Sequence, residues 1–86
     1  SCTAVIRNKR GLHARAAAQF VKVVSDFDAN ISVSRGGQTV SGLSILGLMM
    51  LAAGPGCKLE LTAEGAEAKA ALAAVRAVIE AKFEED

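Results

Sequence analysis

Apolar and polar residues alternate along Cys57-Lys58-Leu59-Glu60-Leu61-Thr62, the clearest strand pattern in the chain. Asn30-Ile31-Ser32-Val33-Ser34 alternates in the same way. Gly36-Gly37 then supplies a hairpin turn, and Gln38-Thr39-Val40-Ser41 returns as the partner strand. A short β-prone run, Cys2-Thr3-Ala4-Val5-Ile6, predicts one more strand, followed by Asn8-Lys9-Arg10-Gly11 as a loop in which Gly11 can take a positive φ. From Ala14 to about Ser25 the period changes. Ala17, Phe20, Val21 and Val24 fall at i, i+3, i+4 and i+7, one apolar stripe of a helix whose solvent side takes Gln19, Lys22 and Asp26. A short helix is predicted from Ser44 through Leu51, stopped by Gly54-Pro55-Gly56. Glu64-Gly65 turns into a last helix over about Ala66 to Glu84, with Leu72, Val75, Ile79 and Phe83 on one face and Ala68, Ala71 and Val78 widening it.

The order is strand, helix, strand, strand, helix, strand, helix. The hairpin makes at least part of the sheet antiparallel, and one sheet with every helix on one face satisfies the pattern, an α+β open-faced sandwich. Ser32, Ser34, Lys58 and Glu60 suit the bare, solvated face. With 86 residues the chain is expected to form a single domain over residues 1–86.

Hydrophobic residues make up 51% of the sequence, and Phe20, Phe27 and Phe83 are its only aromatics, so the core is built from Val, Leu, Ile and Ala. Ten basic residues against nine acidic ones give a net charge of +1, which argues against nucleic acid as the main partner. The longest apolar stretch, Leu43 to Ala53, is far shorter than the ~20 residues of a membrane span. Arg7, Lys9 and Arg10 interrupt any early apolar run, so no signal peptide is expected and the protein reads as cytosolic. Cys2 and Cys57 both fall in strand-like segments and read as small hydrophobes, a disulfide being possible only if their strands are adjacent.

His13 is the only histidine and stands at the predicted start of the first helix. The first N–H groups of a helix lack intrahelical partners and carry partial positive charge. A cation is disfavoured there, and a neutral ring keeps a lone pair for nucleophilic attack. A phosphoryl group placed on that ring would lie against the same amides, those of Ala14, Arg15 and Ala16. Arg15 supplies a guanidinium fork suited to phosphate oxygens, and Arg10 adds longer-range positive potential. No P-loop pattern is present, so the chain is read as a relay whose partners complete the active site, not as an enzyme. One His with two scattered Cys does not meet zinc-site spacing, and neither a metal nor a cofactor is expected. The short helix is apolar nearly all round. Leu48 and Leu51 are expected to face the core, leaving Ile45, Leu46 and Met49 as an exposed docking patch near His13.

Gly11-Leu12-His13-Ala14-Arg15, followed by Ala17-Ala18-Gln19-Phe20-Val21, resembles the HPr family of phosphocarriers of the bacterial phosphotransferase system. Ser44-Ile45-Leu46-Gly47-Leu48-Met49 is similar to that family's regulatory-serine segment, and Thr62-Ala63-Glu64-Gly65 to the lead-in of its last helix. The resemblance covers essentially the whole chain and implies a four-stranded antiparallel sheet covered on one face by three helices. It implies that His13 takes phosphate on Nδ1 from phosphorylated enzyme I, which draws it from phosphoenolpyruvate, and gives it to a histidine of an enzyme IIA-type partner. Arg15 would orient and partly neutralise the phosphate. Ser44 would be the target of an HPr kinase/phosphorylase, besides serving as a helix cap. The family usually has Pro after this Arg, where the chain has Ala16, which keeps helicity but relaxes φ and predicts a slightly looser site.

Two other classes compete with the relay. A regulatory binding module would act through Ile45, Leu46 and Met49, with phosphorylation setting affinity only; the presence of His13 argues against a module that is never phosphorylated. An RNA-binding domain needs aromatics on strands for base stacking, and none of the three Phe residues is on a predicted strand. The sequence leaves sugar uptake and a nitrogen-type regulatory branch both open as outputs. A monomer that exposes His13 to two partners in turn is expected.

Overall fold

The computed structural model describes residues 1–84. Four strands, β1 (Cys2–Val5), β2 (Asn30–Arg35), β3 (Gln38–Ser41) and β4 (Lys58–Glu64), pair antiparallel in the order β1-β4-β2-β3. Helices α1 (Ala14–Ser25), α2 (Ile45–Met50) and α3 (Ala68–Glu80) connect and cover them, and a 3-10 turn follows at Lys82–Glu84. The predicted open-faced sandwich is therefore the observed fold.

The pleat sorts each strand into two faces. On β4, Leu59 and Leu61 are buried while Lys58, Glu60, Thr62 and Glu64 are exposed. Ile31 and Val33 of β2 continue the buried face beside them. Ser34 opposes Thr39 on one side and Glu60 on the other, and its Oγ lies 2.7 Å from Thr39 Oγ1 on the solvated face. Against the buried face α1 lays Ala16, Ala17, Phe20 and Val24, α2 lays Leu48, and α3 lays Ala71, Val75 and Ile79. Gly36 and Gly37, at φ 56° and 84°, make the tight β2–β3 hairpin that only two left-handed residues allow.

Several boundaries differ from the sequence reading: β1 stops at Val5 before Ile6, and α2 runs over Ile45–Met50 inside the predicted Ser44 to Leu51. The last helix ends at Glu80, not Glu84, because Lys82, Phe83 and Glu84 turn left-handed at φ 59°, 54° and 61°. Phe83 is nonetheless buried, as its spacing from Ile79 suggested, but it reaches the core from a turn. Gln19 Nε2 donates to Glu84 Oε1 at 3.0 Å and ties that turn to α1. The same helix starts at Ala68, because Glu67 is committed to the loop after α1. Its carboxylate accepts the Asp28 N–H at 2.8 Å, and its own N–H donates to the Asp28 carbonyl at 3.0 Å. Finally, Cys57 lies just before β4. β1 and β4 are adjacent, but Ile6 faces Cys57 and Cys2 faces Leu61. Four residues of strand, about 13 Å, separate the two thiols, beyond disulfide reach. Both cysteines are free. Among the described residues, no helix is long and apolar enough to cross a membrane.

Candidate functional site

The loop between β1 and α1 is shaped by one glycine. Gly11 has φ +66°, and a Cβ there would collide with the carbonyl oxygen of Ala53 and come within 2.9 Å of Gly54 Cα. The chain approaches the segment after α2 that closely because Leu12 N–H donates to that same Ala53 carbonyl at 2.9 Å. Within the loop, Gly11 N–H donates to Asn8 O at 3.2 Å and Asn8 Nδ2 donates to Gly11 O at 2.8 Å. Leu12 is buried at 4% exposure and anchors the loop in the core.

The next residue, His13, is half-buried and is the N-cap of α1, with extended backbone (φ −76°, ψ 179°). Its carbonyl accepts the first helical bond, from Ala17 N–H at 2.8 Å, so the amides of Ala14, Arg15 and Ala16 lie ahead of the helical ladder. The imidazole makes no side-chain capping bond to them, and the first turn holds no acidic residue. A group that can carry a nucleophile thus occupies the position where Ser, Asp or Asn would ordinarily serve the helix. Arg15 is exposed on the first turn and lines an open groove with Gln19, Lys22, Phe83 and Glu84. Ala16, third in the helix, is buried at 1% exposure. Arg7, Lys9, Arg10, Arg15 and Lys22 precede the first acidic residue, Asp26, so the local charge is strongly positive although the whole chain carries only +1.

Ser44 caps α2. Its Oγ accepts the Gly47 N–H at 2.9 Å, as the N-cap reading requires. Ser44→Ala is expected to lower stability by about 1 kcal/mol in urea denaturation, the ordinary cost of losing such a cap. At the other end of α2, Arg35 Nη1 donates to the Leu51 carbonyl at 2.8 Å, a cation at the negative pole of the helix.

The exposed face of α2 is apolar, as expected. Leu48 and Leu51 are buried at 0% and 1%, while Ile45, Leu46 and Met49 are 41%, 68% and 40% exposed. Leu43 and Met50, at 52% and 62%, enlarge the patch beyond the residues read from the sequence. Met50 follows Leu46 by four residues, the helical spacing that signals a shared face. No charged residue occurs between Arg35 and Lys58. α1 packs against α2, and the bond from Leu12 N–H to the Ala53 carbonyl sets the residue before His13 against the segment that follows α2. Ser44 is at the far end of α2, about 9 Å along the helix from the end that meets the His13 loop.

The chain is similar to known proteins along nearly its whole length. The family described as "PTS HPr component phosphorylation site" matches residues 1–81. Phosphocarrier protein NPr of Shewanella violacea is 46% identical over 80 residues, covering 93% of this chain and 88% of its own. Phosphocarrier protein HPr of Treponema pallidum is 43% identical over 84 residues, covering 98% and 96%. The crystal structure of HPr-C-His from Thermoanaerobacter tengcongensis superposes with a TM-score of 0.94 at 41% identity, over 99% of this chain and 96% of that one. Sequence, fold and relatives agree, and the chain belongs to the HPr family, phosphocarriers of the phosphotransferase system rather than catalytic enzymes.

Proposed function

We propose that His13 accepts a phosphoryl group from phosphorylated enzyme I, and ultimately from phosphoenolpyruvate, and passes it to a histidine of an enzyme IIA-type partner. The observation that carries this reading is the placement of His13 as an N-cap that does not cap, with three leading amides and Arg15 in the same turn. The ring nitrogen attacks phosphorus as the bond between phosphorus and the donor's carrying atom breaks, and that atom leaves with the bonding pair. The chain's own part is to stabilise the oxygens of the transferred group, through the amides of Ala14, Arg15 and Ala16 and the guanidinium of Arg15. Ala16 contributes an N–H that a proline would lack, in exchange for a less fixed φ.

Docking falls to the uncharged α2 face, Ile45, Leu46 and Met49 together with Leu43 and Met50, with the basic loop that precedes His13 seated against the segment after α2. This combination suits a partner with an apolar centre and an acidic rim, serving encounters that are brief and repeated. Phosphorylation of Ser44 would set negative charge at the edge of that face and weaken docking.

Incubation with enzyme I and phosphoenolpyruvate, followed by intact-mass analysis, tests the reading. One phosphate is expected, only with both reagents present, and it should be lost in acid as a phosphoramidate is. A phosphate that survives acid, or none at all, would contradict it.

A further inference from the structure

Among the described residues Asn8 alone is a buried polar side chain, at 0% exposure, and it sits five positions before His13 in a loop where polar residues ordinarily face water. Its place relative to one peptide unit explains why. The Gly11–Leu12 peptide offers a carbonyl on one side and an N–H on the other. Asn8 Nδ2 holds the carbonyl at 2.8 Å, and the Ala53 carbonyl holds the N–H at 2.9 Å. A plane gripped at both ends does not rotate. The grip matters because Gly11 lacks a Cβ and by itself leaves ψ, and so the orientation of that plane, loosely set. The next residue is buried Leu12 and the one after it is His13, so a rotation of the plane would swing the histidine Cα–Cβ bond away from the amides of α1.

We propose that Asn8 is a positioning residue for phosphoryl transfer: its buried carboxamide fixes the Gly11–Leu12 plane and, through it, the direction in which His13 presents its ring. This inference rests on the phosphocarrier reading of His13. Asn8 does not touch the transferred group, and its effect is on alignment at the moment of transfer, where misplacement by about 1 Å costs up to a hundredfold.

The test is the rate of transfer from phosphorylated enzyme I to Asn8→Ala, measured as carrier concentration is varied, well below the unfolding midpoint. A drop in kcat of about tenfold or more with KM within about twofold is expected, since the α2 face is untouched. Leu46→Asp, on that face, provides the opposite pattern, raising KM. Unchanged kinetics in folded Asn8→Ala, or a change in KM alone, would overturn the proposal. Wild-type protein that takes no phosphate would remove the carrier reading and this inference with it. Should Asn8→Ala not fold, hydrogen exchange at the Asn8 side-chain NH2 of the wild type decides the matter. Bonded to the Gly11 carbonyl and buried, it must exchange far more slowly than that of exposed Gln38, and exchange as fast as Gln38 would show that the carboxamide does not hold the plane.

Discussion

Gly11→Ala should destabilise the chain by about 2–5 kcal/mol, from a non-glycine residue in the left-handed region together with overpacking against backbone. The collision is with the Ala53 carbonyl and Gly54 Cα, neither of which can turn aside as a side-chain tip would. Ala53 O is also the acceptor for Leu12 N–H, so relieving the clash stretches the bond that seats the His13 loop. For a small domain whose total stability is about 5–15 kcal/mol, that loss is large. Urea denaturation should show it as a lower midpoint with little change in slope, and phosphate acceptance by the remaining folded protein should fall as well. A loss below about 1 kcal/mol would mean that the two segments separate at little cost, against the close approach of Gly11 to Ala53 and Gly54.

His13→Asn should do the reverse, abolishing phosphate acceptance while raising stability by about 0.5–1 kcal/mol. The gain is expected because the imidazole makes no capping bond to the leading amides of α1, and asparagine is among the best N-caps. On the carrier reading, function comes at the expense of the helix end. Acceptance and denaturation measured on the same preparation separate the two effects. Residual acid-labile phosphate on the variant would place the acceptor elsewhere, and a large drop in stability would show that the ring holds the helix start together.

Most of the fold was legible because the core is regular. The alternation from Lys58 to Thr62 and the spacing of Ala17, Phe20 and Val24 each point to one face, and those faces meet in the structure. The placement of His13 and Arg15 at the start of α1 was legible because they stand two residues apart where the helical period begins. The ends of α3 were not. Phe83 keeps the spacing of a continued helix while its backbone turns left-handed without a glycine or proline to announce it. Glu67 likewise looks helical until its carboxylate is found on the Asp28 amide. The extent of the α2 patch was only half legible. A helix of six residues makes fewer than two turns, so its inward face is set by the packing of Leu48 and Leu51 and not by period. Asn8 escaped altogether, since a polar residue in a loop gives no sign that its side chain is turned inward.

Onward transfer is the most direct test of a carrier, because acceptance alone is shared with any protein that is merely phosphorylated. The protein phosphorylated on His13 is purified away from enzyme I and phosphoenolpyruvate, then mixed with an unphosphorylated enzyme IIA-type protein, and both intact masses are followed. The carrier reading predicts that phosphate leaves this chain and appears in equal amount on the acceptor, faster than it is released by hydrolysis. Phosphate that stays on His13, or that appears only as inorganic phosphate, with each of the acceptor types tried would contradict it.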